Sequence, residues 1–294
     1  MSADVASYRR VLSEACARAG LDDIGAEPLR LGENAIFTLP GKVVARIARP
    51  GQLNAARREV QVARWLADHG VPAVMVVEGV EQPVNVSGRG VTFWRQLADH
   101  RHGTPAEVAE ALHRLHSLPP PSEFAQLNPF TRLPERIDAA TTLTEDDRGW
   151  LRGRLAALTA GYQDRPAGLA ACVVHGDAWV GNVVTTTDGR TVLLDLERCS
   201  IGPPEWDLVS TAIKHTSFGW ITAAEYRDFA DRYSHDVTAW EGFELFRDIR
   251  ELRMTCYLAQ HAAEHSGSHE EAARRVASLR GSHGPRPWEW TPAL

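Results

Sequence analysis

Apolar residues recur at three- and four-residue intervals over residues 7–19 and stop at Gly20, which predicts an opening helix. The period then shortens. Between residues 27 and 49 apolar runs alternate with turn residues: Pro28-Leu-Arg-Leu31, a turn at Gly32-Glu-Asn-Ala35, Ile36-Phe-Thr-Leu39, a Pro40-Gly41 turn, and Val43-Val-Ala-Arg-Ile47. These read as three strands. Residues 53–69 return to helical spacing until Gly70-Val-Pro72 ends the run, and 74–79, 82–86 and 90–97 read as further strands. Residues 105–116 are helical in pattern, Pro119-Pro-Pro121 interrupts, and 131–163 is polar and helix-prone. Beyond residue 207 the spacing is mostly helical, over 208–215, 223–233, 240–266 and 269–280. The Pro-, Trp- and Gly-rich tail from 281 onward reads as irregular.

One stretch breaks this alternation of simple elements. Cys172-Val-Val-His-Gly-Asp-Ala-Trp-Val-Gly-Asn-Val-Val184 sets a polar loop between two apolar β-type runs, and Thr191-Val-Leu-Leu-Asp-Leu-Glu197 follows. The Asp188-Gly189 pair between them signals a hairpin, which should bring Asp195 back towards the first loop. The segment therefore offers a carboxylate (Asp177), an amide five residues later (Asn182), and a second carboxylate (Asp195) at the end of a buried strand. Phosphoryl transfer to a hydroxyl uses that set: one Asp takes the hydroxyl proton, while an Asn and a second Asp hold the magnesium that bridges the nucleotide phosphates. Magnesium keeps water and substrate phosphates in its shell, so one carboxylate and one amide suffice.

On these residues the chain resembles the aminoglycoside phosphotransferase and choline kinase superfamily. Its catalytic loop reads His-Gly-Asp-x-x-x-x-Asn, matched by His175 to Asn182. Its metal-binding Asp lies in an Asp-x-Asp/Glu context, matched by Asp195-Leu-Glu197. The Gly-x-Pro-x-x-Asp-Leu that tends to follow is matched by Gly202 to Leu208. The resemblance implies an α+β, two-lobed protein-kinase-like fold, with a small β-rich nucleotide-binding lobe over 1–97. A larger, mainly helical lobe over 98–294 would carry catalysis and the acceptor. It implies transfer of the γ-phosphoryl group of ATP or GTP, with Mg, to a hydroxyl of a small molecule. An aminoglycoside or other antibiotic leads as acceptor over an amino alcohol or sugar. In this reading Asp177 is the catalytic residue, Asn182 and Asp195 hold the metal, and Asp207 bonds the backbone of the catalytic loop, which His175 helps to order. Glu197 either assists the metal or faces solvent.

The nucleotide side follows from the strands. Gly32, Glu33, Asn34 and Ala35 fit the hairpin loop over the phosphates, and their amides are candidate donors. Lys42 sits in a turn, so the cation on the third strand falls on Arg46, with Glu59 on the next helix to fix it. Its role is read as chiefly electrostatic, which a lysine could also fill. Trp94 and Gln96 are the candidates beside adenine. On the acceptor side, Trp179 follows the base by two residues, and its ring can receive a cation or a sugar face. Glu205 could add a carboxylate, which together favour a cationic hydroxyl compound. The alternative is that Trp179 packs as core and Glu205 is solvated.

Composition narrows this little. The chain of 294 residues is 44% hydrophobic and 24% charged, which is ordinary globular composition, and its net charge of -6 argues against nucleic acid as a partner. Lys42 and Lys214 are the only lysines. Four cysteines lie without metal spacing, there is no apolar leader or run of membrane length, and cytoplasmic location without a membrane partner is the expectation. The absence of an Ala-Pro-Glu segment after Asp195 favours small-molecule over protein substrates. Two rivals remain: a metal-dependent hydrolase built on His175, Asp177 and Asp195, and a non-catalytic nucleotide-binding relative.

Overall fold

The computed structural model describes residues 2–32 and 34–292. The chain divides into two compact units, Met1–Leu118 with Val180–Cys199, and Pro119–Trp179 with Ser200–Leu294.

The first unit is built on a five-stranded antiparallel sheet in the order β1-β2-β3-β5-β4, from β1 (Glu27–Leu31), β2 (Ala35–Leu39), β3 (Val43–Ile47), β4 (Val84–Val86) and β5 (Arg89–Arg95). Alternation sorts its faces. Ala35, Phe37, Ala45, Ile47, Val91 and Phe93 pack with Leu12, Ala15 and Cys16 of helix α1 (Ser2–Ala19) in one buried cluster. Burying a side chain such as Phe37 stabilises by about 1.5–3 kcal/mol. Arg46, between Ala45 and Ile47, therefore projects from the other face, which helix α2 (Leu53–Asp68) covers. Gly90 permits the close approach of α2 to β5: a Cβ there would stand 3.1 Å from the Ala56 methyl and 3.2 Å from Leu53.

A second sheet in this unit joins β6 (His100–His102), β8 (Val183–Thr186) and β9 (Thr191–Leu193), beside helix α3 (Pro105–His116) with its Thr104/Glu107 capping box. The β8–β9 pair is the hairpin expected from Asp188-Gly189. Its pairing with β6 enlarges this unit beyond the 1–97 read from the sequence. Residues 74–79 are not a strand. Val76 alone of them makes an isolated bridge, to Trp94, and Ala73 just before them makes another, to Leu193.

The second unit is mainly helical: α4 (Leu133–Ala139), α5 (Glu145–Gln163), α6 (Glu205–Thr216), α7 (Ala223–Tyr233), α8 (Phe243–Ala262) and α9 (His269–Leu279). One short ladder pairs β7 (Cys172–Val174) with β10 (Ser200–Gly202), the strands that flank residues 175–199. Helix α8 is central and packs on α4, α5, α6 and α9. Its Phe246 meets Trp206 and Trp240 edge-on. The tail is irregular, as expected, but firmly packed. Trp288 N–H donates to Ser217 O at 2.7 Å, and Arg275 and Arg286 stack on the rings of Trp290 and Trp288. Among the described residues no helix is long and apolar enough to cross a membrane.

Candidate active site

The residues singled out by sequence divide between the units. In the first, Arg46 gathers the nucleotide-side candidates. Its Nη1 donates to both oxygens of Glu59 (2.5 and 2.6 Å), and its Nη2 donates to Glu197 Oε2 at 2.8 Å and lies 3.6 Å from Asp195 Oδ1. With the Asn34 amide turned to suit its neighbours, the Asn34 oxygen accepts from Arg46 Nε at 3.2 Å and Nη2 at 2.8 Å. One guanidinium thus serves three carboxylates and an amide. Burial pushes Glu59 up, to about 7, and the charges of Asp195 and Glu197 act in the same direction, while Arg46 opposes them. Burial alone would lower Arg46, but the three carboxylates hold it above its ordinary value. Glu197, left open by sequence, is drawn into this cluster, and Arg58 donates to its carbonyl at 3.2 Å.

Asp195 ends the hairpin at φ 55°, ψ 60°, and turns the chain from β9 into a single 3-10 turn. A left-handed conformation costs a non-glycine residue about 1–2 kcal/mol. Such strain gathers at functional sites. Leu194 N–H donates to Asn182 O at 2.9 Å, so the backbone sets Asn182 and Asp195 one residue apart across the hairpin. Asp195 Oδ1 is buried without a hydrogen-bond partner. A carboxylate oxygen in that condition suits a hard, oxygen-seeking cation, and the Asn182/Asp195 pair fits magnesium on this ground.

The remaining nucleotide-side candidates sit less openly. Gly32 N–H points to Asn34 O at 3.3 Å, and Glu33 lies outside the described residues. Trp94 is buried in β5 with its indole N–H on Thr92 Oγ1 at 2.8 Å, and Gln96 N–H is taken by Lys42 O at 2.8 Å. Neither of these groups is offered to adenine. Trp94 is core, because β5 is buried along nearly its whole length, whereas Gln96 lies just beyond the strand and is exposed, with only its N–H bonded to the β2–β3 turn.

In the second unit the loop that opens with His175 leaves β7 and is gripped by Asp207, in the first turn of α6. Asp207 is wholly buried, and its two oxygens accept His175 N–H (2.6 Å) and Gly176 N–H (2.8 Å). His175 Nδ1 accepts Asp177 N–H at 3.3 Å, which assigns the ring proton to Nε2. Arg250 of α8 closes the frame. It donates to Gly176 O (3.2 Å) and Trp206 O (2.5 Å), stands 3.8 Å from Asp207 Oδ1, and stacks on the Trp206 ring at 3.8 Å. Sequence reading missed Arg250, because nothing local marks one arginine of a long amphipathic helix. Asp207→Asn should cost about 1–3 kcal/mol by leaving one of the two loop amides facing an NH₂ group. Denaturant unfolding and kcat measured together will check this. A variant as stable and as active as the parent would deny Asp207 its hold on the loop.

The two acceptor-side candidates part company. Trp179 is 42% exposed, and Lys214 Nζ lies 5.4 Å from its ring centroid. Glu205 is fully buried and accepts Leu169 N–H at 2.6 Å, with Gly168 packed so close that a Cβ would come within 2.3 Å of Oε1. The expectation that Glu205 faces an acceptor is corrected: it fastens the 168–169 loop to α6.

Both units together carry the kinase-like α+β fold, seen in solved structures of low sequence identity. Aminoglycoside phosphotransferase APH(3'')-Id from Streptomyces rimosus aligns with TM-score 0.62 at 22% identity, over 84% of this chain and 98% of that one. Choline kinase LicA from Streptococcus pneumoniae aligns with TM-score 0.64 at 16% identity, over 92% and 99%. The amicoumacin kinase hAmiN, solved with AMP-PNP, Ca2+ and Ami, aligns with TM-score 0.71 at 14% identity, over 99% of each chain. No curated protein sequence matches. Residues 33–246 match the family model described as the phosphotransferase enzyme family (APH), and the chain belongs to that family. It is a small-molecule phosphotransferase.

Proposed function

We propose that the chain transfers the γ-phosphoryl group of ATP or GTP, with magnesium, to a hydroxyl of a small molecule in the cytoplasm. In this reading the acceptor oxygen attacks the γ-phosphorus, the bond to the β–γ bridging oxygen breaks, and the nucleoside diphosphate leaves. The hydroxyl proton passes to an oxygen of Asp177. His175, Asp207 and Arg250 fix the loop that carries Asp177. Asn182 and Asp195 would hold the magnesium, which when bound neutralises charge on the phosphates. Arg46, backed by Glu59, would supply a positive charge to those phosphates.

One observation carries the reading: Arg46 of β3 is bonded to Glu59 of α2 and faces Asp195, the strand-cation, helix-glutamate and metal-aspartate set that kinases require. Among the described residues no group of three or more His, Cys, Asp or Glu is arranged to hold a metal. A magnesium held by one carboxylate, one amide and substrate phosphates needs none.

The acceptor is less closely specified. An aminoglycoside or other antibiotic is supported by relatives solved with streptomycin, spectinomycin and amicoumacin. A metabolite is favoured instead by the occupation of the Trp179 face by Lys214 and the burial of Glu205, which take away the features expected to draw a cation. The test is release of ADP or GDP against a panel of antibiotics, sugars, amino alcohols and hydroxy acids. Hydrolysis without an acceptor product would favour the hydrolase, and MgATP binding without turnover the non-catalytic relative. Asp195→Ala should weaken MgATP binding about tenfold or more and erase its magnesium dependence, with Asn182→Ala milder because an amide brings no charge. Unaltered magnesium dependence in calorimetry of the Asp195 variant would remove it from the metal site.

A further inference from the structure

Lys214 takes no part in the chemistry assigned above, yet it stands beside it. Of the chain's two lysines, Lys42 lies in the β2–β3 turn and Lys214 in the last turn of α6. From there its half-buried side chain lays the ammonium over the Trp179 ring, 5.4 Å from the centroid, and Trp179 is the second residue after Asp177. The contact fixes where Nζ stands. Burial pushes the ammonium down to about 8, the Asp177 carboxylate pulls it back up, and Arg250 adds to the fall, so all three groups share one electrostatic neighbourhood. The two cations differ in what they can still do. Arg250 has turned its Nη atoms to the carbonyls of Gly176 and Trp206. Among the described residues Lys214 Nζ makes neither a hydrogen bond nor an ion pair, so its three N–H donors stay available.

A polycation brought to Asp177 would meet Lys214 and find the Trp179 face taken and Glu205 sealed under Gly168. An acceptor carrying an oxyanion near its hydroxyl would meet an ammonium with donors to give. We propose that Lys214 is a specificity-determining residue that binds an oxyanion of the acceptor, a carboxylate or a phosphate monoester, beside the hydroxyl that Asp177 activates. The proposal rests on the phosphotransferase reading above and narrows its acceptor to hydroxylated acids or sugar phosphates.

Matched triplets test it on the full chain: glyceric acid, its amide and the corresponding amine, and glucose 6-phosphate, glucose and glucosamine. The oxyanion member of at least one triplet should lead in kcat/KM by about tenfold or more. Which triplet responds separates carboxylate from phosphate. In Lys214→Met that lead should vanish through KM for the acceptor, with KM for MgATP held within about twofold, and Lys214→Arg should keep part of it. Preference for the amines overturns the proposal. So does an equal loss across all members, which would mean that Lys214 supports the transferring phosphoryl group. A turnover-free arm uses ¹³Cε-lysine NMR, in which two lysines give two signals and Lys214→Met assigns one. The Lys214 signal should move with glycerate or glucose 6-phosphate and stay still with the neutral partners, with or without Mg–AMP-PNP; an unmoved signal overturns the proposal. A parent chain that fails to bind MgATP in calorimetry overturns the phosphotransferase reading instead, and the NMR arm still decides the role of Lys214.

Discussion

Asp177→Asn should cut kcat on the true acceptor by at least about 10²–10⁴, the usual worth of a positioned general base. MgATP affinity should stay close to that of the parent. The shape of the side chain is kept, and the loop is held from elsewhere, by Asp207 on two amides and by Arg250 on the Gly176 carbonyl. The nucleotide-side cluster of Arg46, Glu59, Asp195 and Glu197 is built within the other unit. One side effect is foreseeable. Asp177 raises the Lys214 pKa, so losing its charge will lower the ammonium further from about 8. Rates should therefore be measured at a pH well below that value, where Lys214 is charged in parent and variant alike. Steady-state kinetics on the best acceptor, with calorimetric MgATP titration, separates the two effects. A variant that keeps near-parental kcat would strip Asp177 of the catalytic assignment.

What the sequence made legible here was local. His175, Asp177, Asn182 and Asp195 lie within one strand–loop–hairpin unit whose turn is written by Asp188-Gly189, so their backbone setting follows from a few adjacent residues. The limits of α3 and α7 were likewise legible, because Thr104/Glu107 and Thr222/Glu225 form capping boxes at their starts. What sequence left hidden depends on distant partners. Glu205 and Asp207 share the first turn of α6, and both are acidic residues in the same motif. Only the fold decides that one fastens a loop at Leu169 and the other grips the amides of His175 and Gly176. Sequence leaves Trp179 open between an acceptor face and core packing, because its cation, Lys214, is far along the chain and carries no motif of its own. Strand β5 is buried on both faces from Gly90 to Trp94, so no alternation warned that Trp94 was core. Residues 74–79 have the composition of a strand but meet a single bridge rather than a ladder, and composition cannot supply the missing neighbour.

Arg46→Met should destabilise the chain by about 3–5 kcal/mol, the range for removing one partner of a buried ion pair. The loss falls mainly on Glu59, which is 4% exposed and receives both of its hydrogen bonds from Arg46 Nη1. Asp195 and Glu197 would be left to repel it without a countercharge. Arg46→Lys is the sharper comparison. A purely electrostatic role would let lysine serve almost as well. The structure shows a planar fork divided among Glu59, Glu197 and Asn34, and a single ammonium cannot span all three. Lysine should therefore restore the pair with Glu59 but not the tie to Glu197 and Asn34. Its stability should lie between parent and methionine variant, with KM for MgATP raised. The double variant Arg46→Met/Glu59→Leu separates folding from function. An apolar pair of similar volume should recover much of the lost stability, yet MgATP binding should remain poor because the charge is gone. Denaturant unfolding of the four proteins with calorimetric MgATP titration decides the matter. An Arg46→Met chain as stable as the parent, or a double variant that regains nucleotide affinity along with stability, would show that Arg46 is not the cation of the phosphate side.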